Sequence, residues 1–125
     1  MRKGLAKKVI IIEEDPRYRT LLQHLLQELN CIVVGVESGG HEAIDLYKRM
    51  KPDIVLLNIR TPLELGLEVL REMKRIKPYV VVIMITSVTE EKTVKRCIEA
   101  GADGYILKGD SDTGIRNRLK KFINL

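Results

Sequence analysis

Four short apolar runs in this chain stop at side chains that can do chemistry. "KVIIIEE" (8–14) ends on Glu13 and Glu14, with Asp15 next; "DIVLLN" (53–58) ends on Asn58. "YVVVIMIT" (79–86) ends on Thr86, with Ser87 next; "GYILK" (104–108) ends on Lys108. Acids, an amide, a hydroxyl and an ammonium are thus delivered by four separate segments. Asn58 is the odd member. An apolar strand that ends in a turn often presents one side chain to a reaction site. A carboxylate there supplies an anionic oxygen nucleophile at neutral pH. The oxygen of a carboxamide is uncharged and its lone pairs are drawn into resonance, so Asn58 keeps the position of a reactive group without its reactivity.

What positions these groups is an alternation of two periods. Strand-length apolar runs at 8–14, 31–37, 53–58, 79–86 and 104–108 alternate with amphipathic helical segments. The first helix follows Asp15, which can cap it, and Pro16, which suits a first turn. Leu21, Leu22, Leu25, Leu26 and Leu29 then recur on one face. A second helix starts near Ser38 and stops before Pro52. A third runs from Gly66 to Lys77 with Val69, Leu70 and Met73 inward. "SVTE" (87–90) has the form of a capping box and opens a fourth helix to Ala100. A fifth starts near Ser111, with Ile115, Leu119 and Phe122 on one face. All-apolar strands joined by crossover helices predict a parallel sheet covered on both faces. Binding groups in such α/β folds gather beyond the C-terminal ends of the strands, which is where the acids, the amide, the hydroxyl and the ammonium stand.

Length and composition set the frame. The 125 residues suggest one domain, and no apolar run approaches the ~18 residues of a membrane span. "MRKGLAKK" is basic, but only "VIII" follows before two acids, too short for a signal peptide; a cytoplasmic protein is expected. Cys31 and Cys97 are far apart and read as small buried residues. The net charge of +5 is spread over four clusters: Arg2/Lys3/Lys7/Lys8, Lys48/Arg49/Lys51, Lys74/Arg75/Lys77 and Arg116/Arg118/Lys120/Lys121. Three of these fall in final helix turns, where cations complement the helix dipole. No aromatic interleaving or helix-turn-helix segment supports direct nucleic-acid binding. His24 and His41 read as surface residues, and Gly39–Gly40 lacks the pattern of a phosphate loop.

The pieces "VIIIEEDPRYR", "PDIVLLNIRTP…GLEVLREMK", "VIMITS" and "AGADGYILK" carry a family resemblance. Over about residues 7–124 the chain resembles the receiver domain of bacterial two-component response regulators. The resemblance implies a single receiver-like domain over residues 1–125, with no output domain in the chain. It further implies a doubly wound (βα)5 flavodoxin-like sheet of five parallel strands in the order 2-1-3-4-5. The phosphoacceptor position falls on Asn58. Glu13 and Glu14 form the acidic pocket, Thr86 and Lys108 bind the phosphoryl group, and Tyr105 is the aromatic switch residue. The implied Mg²⁺ ligands are Glu14, Asn58 and the backbone carbonyl of Arg60. Partner proteins (a histidine kinase, an output domain or another receiver) are implied on the face of the fourth helix, fifth strand and fifth helix. Lys92, Lys95 and Arg96 would supply charge there and Tyr105 an anchor; a homodimer is a further candidate.

The departures from the family pattern decide the expected function. Asn58 stands for Asp, Glu13 and Glu14 for a pair of Asp, Thr61 for Met, Leu65 for an acid and Gly109 for Pro. An amide has no competent acyl-phosphate product. Losing one carboxylate ~4 Å from a cation removes attraction of about 4 kcal/mol at an effective dielectric near 20. Mg²⁺ binding is therefore expected to be weak or absent, and no cofactor is required; Arg60 is a candidate charge substitute. The expected function is a pseudo-receiver acting through protein contacts and not as an enzyme. One alternative is a phosphoryl-accepting regulator whose acceptor Asp was replaced by Asn58. Another is a flavodoxin-like electron carrier, against which stand the basic charge, the absence of Trp and the lack of a phosphate-cradling loop after the first strand.

Overall fold

The computed structural model describes residues 6–58 and 62–124. Ten elements alternate: β1 (Lys8–Ile12), α1 (Pro16–Glu28), β2 (Ile32–Glu37), α2 (Gly40–Met50), β3 (Ile54–Asn58), α3 (Leu63–Ile76), β4 (Val81–Thr86), α4 (Glu91–Glu99), β5 (Gly104–Leu107) and α5 (Asp112–Ile123). All strand pairs are parallel, and the sheet has the order β2-β1-β3-β4-β5. This is the expected doubly wound (βα)5 topology.

Strand alternation sorts the core into two layers. Ile10 and Ile12 of β1, Val55 and Leu57 of β3, and Val82 and Met84 of β4 face α2, α3 and α4. Val9, Ile11, Ile54, Leu56, Ile83, Ile85 and Ile106 face α1 and α5, against Leu22, Leu25, Leu26, Ile115 and Leu119. Burying each such side chain stabilises the fold by roughly 1.5–3 kcal/mol before the cost of ordering it. The three central strands have no wet face, so polar chemistry is confined to their ends. Cys31 and Cys97 are buried free thiols.

Helix termini follow local chemistry, with three departures from expectation. Asp15 caps α1 by accepting the Arg17 N–H at 2.9 Å, and Ser111 caps α5 by accepting the Gly114 N–H at 3.0 Å. Basic residues close α2, α3 and α5 as the dipole favours. The capping box at 87–90, however, does not form. Glu90 occupies the N-cap of α4 without a side-chain bond, and the preceding loop is held by Thr86, whose Oγ1 accepts the Val88 N–H at 3.0 Å. Helix α3 begins at Leu63, ahead of Gly66, because Pro62 is already extended and Glu64 suits a first turn. Its buried stripe is therefore Leu67, Leu70 and Met73, with Val69 at the margin. Helix α2 starts at Gly40 behind Gly39, which takes the N-cap position with a φ of 147° that favours glycine, so Ser38 does not cap it.

Gly104 opens β5 because nothing larger fits. A Cβ there would lie 2.2 Å from Phe122 Cζ of α5. Gly104→Ala is expected to lower unfolding free energy by about 1–3 kcal/mol, through displacement of the ring. Urea midpoints at constant slope would measure this. Shortening the ring in Gly104→Ala/Phe122→Leu should return part of the loss, and an unchanged midpoint in the single variant would mean that Phe122 moves aside freely.

Candidate functional site at the C-terminal edge of the sheet

The alternation that sorts the core also sorts the site. Just past β1, Glu13 continues the side that faces α1 and α5. Asn58 at the end of β3 shares that side, as does Lys108 just past β5. Thr86 and Tyr105 fall on the other side, toward α4. The six described candidates thus divide into an acid–amide–ammonium group, a hydroxyl–phenol group, and Glu14, which is exposed.

Glu13 is the centre of the first group. It is 1% exposed, yet it ends an apolar strand. Its Oε2 accepts the Asp15 N–H at 3.0 Å and the Asn58 Nδ2–H at 3.4 Å. Its Oε1 has no directed hydrogen bond, and its compensation is the Lys108 ammonium 2.7 Å away. An ion pair this shielded sets a Coulomb gain of several kcal/mol against a desolvation cost of similar size. Lys108 is thereby turned into the site and away from solvent.

Two residues that sequence reading did not single out build the frame. Both lie in the first turn and a half of α1, which starts directly above the site. The Tyr18 hydroxyl donates to the Lys108 carbonyl, and its ring lies under the ammonium, 4.6 Å from centre to Nζ. Arg19 donates from Nε to the Glu13 carbonyl and from an Nη to Ser38 Oγ at 2.9 Å, tying the loops after β1 and β2 together. The signal was present in "DPRYR": a capped helix starting at the strand end must place its first-turn side chains over that end. Beyond β5, the chain closes a tight turn through Asp110 N–H to Leu107 O at 3.1 Å, so Gly109 is used as a turn residue.

In the second group Thr86 is fully buried, with its Oγ1 accepting the Val88 N–H. The Tyr105 hydroxyl donates to the Val88 carbonyl at 2.9 Å. Burial pushes the Tyr105 phenol above its ordinary pKa. The two residues grip one loop residue from both sides. Arg96 departs from expectation: it pairs with Glu64 of α3, so its charge is spent on the α3 side of α4. Lys92 and Lys95 are exposed. Arg60 and Thr61 lie outside the described residues, and with them the readings of the Arg60 carbonyl as a metal ligand and of its guanidinium as a charge substitute.

The described residues do not by themselves fit a divalent cation. Among the described residues no three acidic, histidine or cysteine side chains converge on one point. Lys108 holds one oxygen of Glu13, and Asn58 presents N–H, not oxygen, to the other. Mg²⁺ wants about six oxygen ligands near 2.1 Å, and here one buried carboxylate is already neutralised.

Comparison with known proteins places the fold and the family. The family model for the response regulator receiver domain matches residues 9–120. The chain is 32% identical over 114 residues to Protein CcdB of Bacillus subtilis, covering 91% of this chain and 95% of that one. It is 36% identical over 104 residues to the chemotaxis protein CheY of Halobacterium salinarum, covering 83% and 86%. Among solved structures, a response regulator from Thermotoga maritima superposes with a TM-score of 0.87 at 22% identity, covering 97% of this chain and all (100%) of that one. The CheX–CheY–BeF3–Mg²⁺ complex from Borrelia burgdorferi superposes with a TM-score of 0.86 at 25% identity, covering 95% and 90%.

Removing Lys108 should expose how much the buried acid depends on it. Breaking a buried pair from one side costs about 3–5 kcal/mol. Because the Lys108 side chain is 16% exposed, Lys108→Ala is expected to cost less, about 2–3 kcal/mol. Adding Glu13→Gln should return most of that, since a neutral amide needs no cation. Denaturant unfolding of both single variants and the double variant closes the cycle; strictly additive effects would show that the two side chains are not coupled.

Proposed function

The chain belongs to the response regulator receiver domain family, a regulatory family, and we propose that it is a pseudo-receiver. In this reading the chain is one receiver-like unit that takes no phosphoryl group at Asn58 and signals through contacts with other proteins. The observation that carries the reading is the pairing of Asn58 and Lys108 on the same carboxylate. Phosphoryl transfer needs an oxygen nucleophile and cations free to meet the phosphoryl oxygens. Asn58 offers an amide bonded to Glu13, and the Lys108 ammonium is engaged by Glu13 as well.

The same observation makes the site self-sufficient. The tethered ammonium does what a bound metal would otherwise have to do, which is to neutralise Glu13. The misfit to Mg²⁺ described above supports weak or absent metal binding. Thr86 and Tyr105 are the proposed switch pair. Their hold on Val88 gives them the means to set the α4 approach loop, and with it the α4–β5–α5 face. We assign partner binding to that face, where Ile98 is 57% and Leu107 37% exposed. The partner would be a kinase, an output domain or a receiver, a second copy of this chain included. The Borrelia CheY, solved in complex with CheX, is a family member that engages a protein. No described helix is long and apolar enough to cross a membrane.

The chemical test is intact mass after incubation with acetyl phosphate and millimolar Mg²⁺. The unaltered chain should gain nothing; a gain of ~80 Da mapped to the site would end the pseudo-receiver reading. Asn58→Asp restores the nucleophile and a third carboxylate. A gain in that variant alone would show that one amide silences an otherwise working site, the alternative of a receiver that lost its acceptor Asp. Calorimetric titration should show Mg²⁺ binding more tightly to the Asn58→Asp variant than to the unaltered chain, by at least about tenfold, with roughly a thousandfold as the ceiling set by about 4 kcal/mol of added attraction.

A further inference from the structure

A groove of about 770 Å³ runs between α2 and α3 on the side of the sheet opposite the Glu13–Lys108 pair. Ile12 and Leu57 form its floor, at the ends of β1 and β3. Ile44 of α2 and Val69 and Leu65 of α3 form its walls. The lining is mostly apolar, and Leu65 is 58% exposed there, although it lies within a helix that buries Leu67 and Leu70. The volume lies within the ~300–1,000 Å³ that small-molecule sites occupy.

The rim is charged, and its charges are not balanced. Asp45 and Lys48 come from α2, Glu68 and Glu72 from α3. Glu72 is held by both oxygens on Arg75, at 2.8 and 2.7 Å, and Lys48 acts on the same carboxylate. Among the described residues Asp45 and Glu68 make no ion pair, so each helix contributes one carboxylate that is not engaged. An apolar trough with two spare acids on its lip complements a molecule that has an apolar body and a cationic end.

We propose that the α2–α3 groove is a binding site for a small apolar amine. The apolar body lies on Ile12, Leu57, Ile44 and Val69, and the ammonium meets Asp45 and Glu68. The site adjoins Asn58, which also lines the groove, so an occupant would touch the end of β3 from the side that faces α2 and α3. The proposal does not require Asn58 to be inert, and it stands or falls apart from the pseudo-receiver reading.

The test uses three matched probes: 4-phenylbutylamine, 4-phenylbutanol and 4-phenylbutyrate. Each is titrated into the isotopically labelled chain and followed by amide NMR shifts. The amine should move the resonances of Ser38–His41 and Leu65–Val69 saturably. Its Kd should be lower than those of the alcohol and the acid by about fivefold, the scale of one or two exposed ion pairs. Asp45→Asn/Glu68→Gln, at exposed positions, should erase that preference while leaving the alcohol unchanged. Gly66→Leu should fill the groove and abolish binding of all three. Absence of saturable shifts, shifts centred elsewhere, equal or tighter binding of alcohol or acid, or a preference that survives the double substitution would each overturn the proposal.

Discussion

A carboxylate that is 1% exposed must find its counter-charge inside the fold, and in this chain the charge comes from across the sheet. Glu13 follows β1 and Lys108 follows β5, with β3 and β4 between them. At ~4.8 Å per strand the two backbones stand about 14 Å apart, so only two long side chains leaning toward each other can close the distance. Glu, a methylene longer than Asp, suits that reach. The pair consequently arches over the end of β3, where Asn58 sits, and every other feature of the site is arranged around it. Tyr18 fixes the carbonyl and shields the ammonium of Lys108; Arg19 fixes the carbonyl of Glu13.

The arrangement has a chemical consequence. A receiver site that works by phosphoryl transfer has surplus negative charge that a metal ion must balance. Here the surplus is small. One carboxylate of the expected pair is buried and matched by an internal cation, and the acceptor position is neutral. An acid balanced from within places less demand on an outside cation than an unpaired one would. The Thr86–Val88–Tyr105 contacts lie on the other side of the sheet, so the loop that leads into α4 is held independently of the Glu13–Lys108 pair.

Much of this was readable residue by residue. The apolar runs around Val9–Ile12, Ile54–Leu57 and Val81–Ile85 could only be strands buried on both faces, because nothing in them is fit for water. The cap at Asp15 and the Pro16 behind it were legible as a helix start, and so was Ser111. The start of α3 was not, since Gly66 looked like a boundary and Pro62 followed by Glu64 is a weaker local signal than the helix it opens. The "SVTE" pattern misled for a related reason. A capping box is a local preference worth about 1 kcal/mol, and the Thr86 hydroxyl competes for the same loop once it is held at the end of a buried strand.

The sequence by itself determined the order of elements, the end of the sheet that carries the polar groups, and the uncharged amide that stands there at position 58. Those depend on side-chain type and on periods of two and 3.6, which any stretch of chain declares locally. Only the tertiary structure decided that Glu13 turns inward while Glu14 is exposed, that Lys108 pairs with Glu13, that Tyr18 and Arg19 brace the site, and that Arg96 belongs to Glu64. Each of these is a choice among partners far apart in sequence. Such choices are fixed by where parallel strands bring their ends and by which of several nearby charges can be compensated away from water.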